Sequence, residues 1–456
     1  MTSEDPAAAG REAASRQSRP PMARDDDPSV VPAVDDPLAR ALGAAGLAAP
    51  PESDDPLAKA LAAAGLAAPP PAPEGPLASA LAAAGLAAPA RADDPPPQAG
   101  LVVSARAVAG EPETDPGPLP RWPDGAASAV GSMPGTDPAE ASATVVGELP
   151  LLPHLPELPA RGVGADMIGR TAGLLVDLAV EVRPSGYRVA QRPGREHRRS
   201  VDLLRFDVDA FDEACAPARP GWVKVQAAGP WTLAAAVELR SGHRVLTDRG
   251  AVREFTASLV EGLRQHVAEI AERTGAHVLV QLDEPGLPAV LAGTLPTPSG
   301  YGSVAGVPEQ EAQDALRDVV EALGVPVVVH SCAPRPPVRL IAGTGVAGIG
   351  VDATQRAVMA DTDQLDALGE TWDAGTPLLL GLVPALAPSR PVTVQELARP
   401  AFDLADRLGF DRVRLASLAV PTPACGLAGA TPEWARRALR LARELGQMFD
   451  DPPEQG

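Results

Sequence analysis

The sequence has few cysteines and no long apolar run. Three cysteines occur in 456 residues, spread too widely along the chain for a disulfide framework. No stretch approaches the roughly 18–20 apolar residues of a membrane span, and the first residues, MTSEDPAAAG, lack the apolar core of a signal peptide. From these absences we expect a soluble, cytoplasmic protein with no membrane partner.

Basic residues are also in short supply. The chain has 39 Lys and Arg against 59 Asp and Glu, a net charge of −20, and its lysines are Lys59 and Lys224 alone. Such an acidic balance argues against nucleic acid or an anionic membrane as the main partner.

The first part of the chain differs from the rest. Residues 1–120 hold 22 of the 53 prolines, and within them a unit of the form DPLAKALAAAGLAAP occurs three times, at 36–50, 55–69 and 75–89. Each unit has a capping residue, a proline, a short Leu/Ala run and a glycine stop, which predicts a helix too short to be stable alone. We expect residues 1–125 to be a disordered low-complexity tail, and the repeats to be either linker or docking motifs for an unknown partner.

From residue 126 to 448 the pattern is typical of one α/β domain, followed by a short tail at 449–456. Apolar runs predict strands at 126–132, 149–155, 222–227, 277–283, 325–331, 346–352, 377–383 and 412–418. Helical patterns separate several of them, as at 251–274, 309–323 and 393–408, and a hairpin is expected around Pro184 to Gly186. Eight strands alternating with helices indicate a parallel (β/α)8 barrel of the TIM type, with a doubly wound open sheet as the alternative.

In such a barrel the functional side chains lie at the carboxyl ends of the strands. Those ends carry polar or metal-binding residues in this sequence: Ser132, Asp283, Glu284, His330, Ser331, Cys332, Asp352 and, beyond the eighth strand, Cys425.

His330 and Cys332 lie two residues apart on a predicted strand, so their side chains point to the same side with Cα atoms about 6–7 Å apart. Imidazole and thiolate are zinc ligands, and a catalytic zinc usually takes three protein ligands and keeps one open position. Cys425 is the expected third ligand, because Cys215 lies in a segment, DEACAPARP, that we predict to be a loop without partners.

Six motifs, in this order along the chain, carry a resemblance to a known family. They are GSMPG (131–135), GPWTLA (229–234), VQLDEPGL (280–287), VVVHSC (327–332), GVDATQ (350–355) and PACGL (423–427). With them, residues 126–448 resemble the catalytic barrel of cobalamin-independent methionine synthase and its single-barrel archaeal relatives. The wider superfamily also holds uroporphyrinogen decarboxylase and corrinoid-dependent thiol methyltransferases.

The resemblance implies a role for each residue of the expected site. His330, Cys332 and Cys425 would bind zinc, and Asp352 stands where the family has a glutamate ligand, so that it either binds zinc directly or acts from outside the ligand shell. Asp283, Glu284 and Glu157 would hold the amino group of homocysteine, and Ser132 would meet its carboxylate.

The implied reaction is the methylation of homocysteine to methionine. A thiol bound to zinc loses its proton and remains nucleophilic, so that its sulfur can attack a methyl group. The donor is either methyltetrahydrofolate or a methylcorrinoid. Folate-using members carry an Asp-x-His on a later strand, and the corresponding segment here, GLVPALAPS (381–389), has no acid or histidine. We therefore hypothesise a donor whose leaving group needs no proton.

Three other functions remain open at this point. The chain could be a corrinoid-dependent methyltransferase for another thiol, a uroporphyrinogen decarboxylase relative that needs no zinc, or a degenerate barrel that binds without catalysis.

Overall fold

A computed structural model of the chain describes residues 121–299 and 301–452. The three predicted repeats, and with them the predicted tail as far as residue 120, lie outside these residues. Trp122 is already buried and the last helix ends at Asp450, so the folded part extends slightly beyond the predicted limits of 126 and 448.

Nine strands are assigned in the described part of the chain. They are β1 (Ala179–Arg183), β2 (Gly186–Ala190), β3 (Trp222–Ala228), β4 (Val237–Glu238), β5 (His277–Asp283), β6 (Val327–Ser331), β7 (Gly348–Val351), β8 (Leu378–Val383) and β9 (Ala419–Pro423). Six of them form one sheet in the order β3-β5-β6-β7-β8-β9, in which every neighbouring pair is parallel. Nearly all of their residues are buried, as expected where helices cover the outer face of a parallel sheet.

Two extended segments close this curled sheet into a ring. On one side, the Ser128 N–H donates to the Pro421 carbonyl of β9 (3.2 Å). On the other, the Leu155 N–H donates to the carbonyl of Lys224 in β3 (2.8 Å). The segments are joined to each other by parallel bridging of Ser132 and Glu157. The predicted eight-stranded TIM-type barrel is thereby confirmed, with its first two strands reduced to short bridged segments.

Thirteen α-helices are found in the described residues, most of them between strands in sequence. They are α1 (Pro138–Glu148), α2 (Met167–Ala172), α3 (Arg195–Ala218), α4 (Pro230–Ala236), α5 (Arg249–Thr274), α6 (Leu287–Ala292), α7 (Glu309–Leu323), α8 (Val338–Ala342), α9 (Arg356–Met359), α10 (Thr362–Asp373), α11 (Val394–Leu408), α12 (Leu415–Leu418) and α13 (Pro432–Asp450). No helix among them is both long enough and apolar enough to span a bilayer.

Local sequence explains where the long helices begin and end. The side chain of Asp248 accepts the first backbone N–H groups of α5, and Gly275 ends that helix in the left-handed conformation at φ 69°. At α11, Thr393 and Glu396 form a reciprocal capping box. Both devices satisfy backbone groups that a helix end leaves unpaired.

Side chains inside the barrel form layers. The bottom layer is apolar and separate from the main core between sheet and helices; its buried residues are Trp122, Ala126, Leu152, Trp222, Leu279, Val328, Leu379 and Val420. Because residues two apart on a strand face the same side, the next interior layer contains Lys224 and Gln281, both buried. Because the bottom layer is apolar and the middle layer is filled by buried polar side chains, a substrate site is expected at the carboxyl end of the barrel.

The structure confirms the hairpin, since β1 and β2 pair antiparallel around Arg183 and Gly186. Two predictions were wrong. Residues 412–418 form a 3-10 turn and α12 rather than a strand, and the last strand is β9. Cys215 lies buried in α3 rather than in a loop; the proline at 217 reads as a loop signal but occupies the last turn of the helix.

Candidate active site

Polar side chains from several strand ends line one pocket at the carboxyl end of the barrel. The lining residues are Val130, Ser132, Glu157, Met167, Asp283, Pro285, His330 and Cys332. Of the residues singled out in the sequence, the structure therefore brings Ser132, Glu157, Asp283, His330 and Cys332 together here.

Cys332 and Cys425 meet beside this pocket. Both are buried, and Cys425 Sγ donates a weak hydrogen bond to Cys332 Sγ across 3.7 Å. Two sulfur ligands on one tetrahedral zinc, each at about 2.3 Å, are separated by about 3.8 Å. The sulfur pair therefore fits a shared zinc ion.

Two glycines allow the approach of these elements. A Cβ on Gly381 in β8 would lie 2.7 Å from the Cα of Ala424, so glycine lets the chain before Cys425 pass close to the barrel. A Cβ on Gly350 in β7 would lie 3.0 Å from the ring carbon Cδ2 of His330, so glycine also makes room for the imidazole.

His330 is oriented by Asp283. Its Nδ1 lies 2.8 Å from Asp283 Oδ1, and the two residues are register partners on β6 and β5. Burial acts to lower the pKa of His330, but the hydrogen bond and charge of Asp283 outweigh it and raise that pKa above its ordinary value. A carboxylate on one ring nitrogen is the common arrangement for a histidine that binds metal through the other.

In the described part of the chain, the two sulfurs are not yet part of a full set of converging metal ligands. Within residues 121–299 and 301–452, no three His, Cys, Asp or Glu side chains converge as metal ligands. The hydrogen bond with Cys425 and burial raise the pKa of Cys332 well above its usual range, so its thiol keeps its proton until a cation compensates the charge. The donor set of two sulfurs and an imidazole is one that suits zinc.

Asp352 uses both carboxylate oxygens in local hydrogen bonds. Oδ1 accepts from the backbone N–H of Thr354 (2.9 Å) and from its hydroxyl (2.6 Å), and Oδ2 accepts from Gln355 Nε2 (2.8 Å). The same Gln355 nitrogen donates to the Cys332 carbonyl (2.8 Å). Asp352 is thus linked to the backbone of Cys332 through one amide.

The two carboxylates of the DE pair have different surroundings. Asp283 lines the pocket, whereas Glu284 is fully buried and accepts hydrogen bonds from the backbone N–H groups of Trp231 and Thr232 at the start of α4. Burial raises the pKa of Glu284 to about 7. Both of its oxygens are engaged with α4, and it is not among the residues that line the pocket.

Glu157 lines the pocket, and the positive charge of Arg170 partly balances the negative charge of its carboxylate. Arg170 Nε, in α2, is 3.7 Å from its Oε1. Burial raises the pKa of Glu157 to about 7, Arg170 acts to lower it, and the nearby negative charge of Asp283 raises it further. Two buried carboxylates in one pocket favour a bound cation.

Ser132 has a buried hydroxyl with no hydrogen-bond partner among the described residues. Its backbone is held by the Leu427 N–H, which donates to its carbonyl (2.8 Å). A buried hydroxyl that lines a pocket without a partner is a group from which a ligand can gain a hydrogen bond.

Several contributing residues were missed in the sequence, namely Arg170, Lys224, Gln281 and Gln355. For Lys224 a signal existed: it is one of two lysines and lies in a strand pattern, WVKVQA, with Gln226 two positions later on the same face. Arg170 gives no comparable signal, because its partner Glu157 lies on another element. For Gln355 only Asp352 is near in sequence, and the Cys332 carbonyl to which it also donates lies on another element.

Comparison with known proteins gives one family match. Residues 126–448 match the family described as the catalytic domain of cobalamin-independent synthase. No curated protein matches the chain.

Solved structures that align with the chain include a methionine synthase and a methyltransferase. A B12-independent methionine synthase from Shewanella sp. W3-18-1, in complex with selenomethionine, aligns with a TM-score of 0.44 and 12% identity, over 71% of this chain and 97% of that one. A methyltransferase from Methanosarcina mazei aligns with a TM-score of 0.43 and 14% identity, over 73% of this chain and 95% of that one.

Proposed function

Because this chain belongs to the cobalamin-independent methionine synthase family through its catalytic domain and is therefore a methyltransferase, we propose that it methylates homocysteine at a zinc centre built from His330, Cys332 and Cys425. The observation that carries the proposal is the 3.7 Å separation of the two sulfurs beside a pocket that His330 and Cys332 also line. As a biosynthetic enzyme of this kind it would work in the cytoplasm.

Zinc bound there would keep the acceptor sulfur as a thiolate at neutral pH. The protein's own residues would bind the rest of the amino acid. Asp283 and Glu157 supply negative charge for the ammonium group, and the hydroxyl of Ser132, which has no hydrogen-bond partner within residues 121–299 and 301–452, supplies a donor for the carboxylate. These contacts would hold the sulfur in line with the incoming methyl group, which is the main contribution of a site that positions two substrates.

For Asp352 we propose a supporting role outside the ligand shell. Its oxygens are bonded to Thr354 and Gln355, and Gln355 in turn holds the carbonyl of Cys332. Aspartate is also one methylene shorter than the glutamate of the family. Glu284 has a structural role in this proposal, because it caps α4.

For the methyl donor we propose a methylcorrinoid rather than methyltetrahydrofolate. The segment GLVPALAPS, which begins within β8, has no group that could protonate a departing folate amine, whereas a corrinoid leaves without a proton. A methylcorrinoid-dependent methylation of a different thiol remains the second candidate, and a comparison of acceptor thiols separates the two.

The test is an assay of the purified full chain with zinc, homocysteine and each donor in turn. We expect methionine from the methylcorrinoid at a rate at least tenfold above that from methyltetrahydrofolate. Equal rates would overturn the donor assignment, and no methionine from either donor would overturn the proposed acceptor.

A further inference from the structure

Lys224 is a fully buried cation inside the barrel. Its ammonium donates to three neutral acceptors: the Val130 carbonyl (3.0 Å), Gln226 Oε1 (3.2 Å) and Gln281 Oε1 (2.7 Å). Three donors meet three acceptors, so the group is satisfied, but none of these partners is an anion. A buried charge without a direct counter-ion is costly, which points to a role for this lysine beyond packing.

The hydrogen bonds leading away from Lys224 have a fixed direction. An ammonium can only donate, so the atom of Gln281 that faces it must be the amide oxygen. The amide nitrogen of Gln281 then donates to the Val130 carbonyl (2.8 Å) and to Asp283 Oδ1 (2.8 Å). All three neighbours of the amide therefore agree on one orientation, although oxygen and nitrogen of an amide are otherwise hard to distinguish.

The same direction continues to His330. An ionised carboxylate can only accept, so Asp283 Oδ1, 2.8 Å from the ring, requires a proton on His330 Nδ1. A neutral imidazole with its proton on Nδ1 has its lone pair on Nε2.

We propose that Lys224 and Gln281 are positioning residues that act through Asp283 to hold His330 in the tautomer with Nδ1 protonated and Nε2 available as a metal ligand. The ligand role of Nε2 rests on the function proposed above, whereas the tautomer does not. Lys224 and Gln281 touch neither substrate nor metal in this arrangement; they fix the imidazole that does.

The charge of Lys224 supports the same role. Burial lowers its pKa to about 8, and the carboxylates of Asp283 and Glu157 act to raise it. Lys224 is thus a cation below the pocket, and its charge acts to lower the pKa of Glu157 although the lysine does not line the pocket.

The experiment uses the full chain in its metal-free form with nitrogen-15 in its six histidines. Nitrogen chemical shifts and ring couplings, measured by NMR, identify the tautomer of His330. Its signals are assigned as those that disappear in His330→Gln. The measurement is made at a pH at which the titration curve of His330 shows a neutral ring. We expect the Nδ1-protonated tautomer in the wild type and a mixture in Gln281→Met. Gln226→Met is the matched control, because Gln226 also accepts from Lys224 but donates to the Leu155 carbonyl rather than to Asp283, and it should keep the wild-type tautomer.

Zinc affinity, measured by competition with a chelator, gives a second readout. Gln281→Met should weaken binding about tenfold, the lower end of the range for direct partners of metal-binding histidines, because Gln281 acts on His330 only through Asp283; we expect a smaller loss in Gln226→Met. If Gln281→Met does not fold, Lys224→Met, which also keeps the volume, serves with the same expectation. An unchanged tautomer together with zinc affinity within twofold of wild type would overturn the proposal. A wild type that binds no zinc would overturn the proposed function. The tautomer measurement would still test whether Lys224 and Gln281 position His330 through Asp283.

Discussion

Cys332 and Cys425 are 93 residues apart in the chain, yet their Sγ atoms lie 3.7 Å apart at the carboxyl end of the barrel. Cys332 directly follows β6 and Cys425 follows β9. The contact therefore depends on the curvature of the sheet and on glycine at position 381, where a side chain would collide with Ala424. This sulfur pair is the basis for the proposed zinc centre.

Replacing either sulfur should remove the metal. We expect Cys332→Ser and Cys425→Ser to bind less than one tenth of the zinc that the wild type retains after dialysis, because a lost thiolate leaves too few strong ligands. Cys215→Ser is the matched control, since Cys215 is equally buried but lies in α3. Metal analysis of the three variants gives the answer, and full zinc in both site variants would exclude the sulfur pair as ligands.

Asp352→Asn should have a smaller effect than the cysteine variants. The amide keeps an oxygen for Thr354 but loses an acceptor for Gln355, so the support of the Cys332 carbonyl weakens. We expect zinc affinity to fall about tenfold with one zinc per chain still bound at saturation. Loss of all binding in a chelator competition would instead make Asp352 a direct ligand.

Ser132→Ala should weaken amino acid binding. A hydrogen bond to a charged group contributes about 1.5–3 kcal/mol, so we expect the Kd for methionine to rise about tenfold or more in calorimetry. Ser142→Ala is the control, because Ser142 also has a buried hydroxyl that finds no hydrogen-bond partner in the described part of the chain but lies in α1 and does not line the pocket. Equal affinity in wild type and Ser132→Ala would place the carboxylate elsewhere.

The pKa of Glu157, raised to about 7, predicts a pH dependence of binding. Only the ionised carboxylate attracts the ammonium group, so affinity should be highest above pH 7, as long as the amino group of methionine keeps its proton, and fall by up to about tenfold per unit below pH 7. Methionine is the suitable probe for the zinc-loaded protein, because it has no thiol to titrate. Glu157→Gln should bind about ten- to a hundredfold more weakly at high pH and show a flatter profile; a profile identical to the wild type would assign the pH dependence to another group.

The sequence predicts which residues meet at the site, but not the hydrogen bonds that each of them makes. Parallel strands end at one edge, so residues at the ends of β5 and β6 were expected to meet, and Asp283 and His330 do. The different surroundings of Asp283, which lines the pocket, and Glu284, which accepts from α4, could not be predicted, because only the fold brings the N-terminus of α4 next to Glu284.

The last strand shows why local pattern can mislead. RVRLASL alternates apolar and polar residues like a strand, and the two prolines of AVPTP argue against one. In the ring, however, Pro421 still pairs with the neighbouring segment, because its carbonyl accepts from the Ser128 N–H and proline lacks only the donor. Lys224 was missed because two of its three partners, Val130 and Gln281, lie on other elements of the barrel, and only the fold brings them together.

The most direct test is the coordination of zinc before and after addition of homocysteine, measured by X-ray absorption on the purified chain. We predict one zinc per chain with two sulfur neighbours and nitrogen or oxygen completing the shell, and a third sulfur when homocysteine is added. A chain that binds no zinc, or a sulfur count that homocysteine leaves unchanged, would contradict the account.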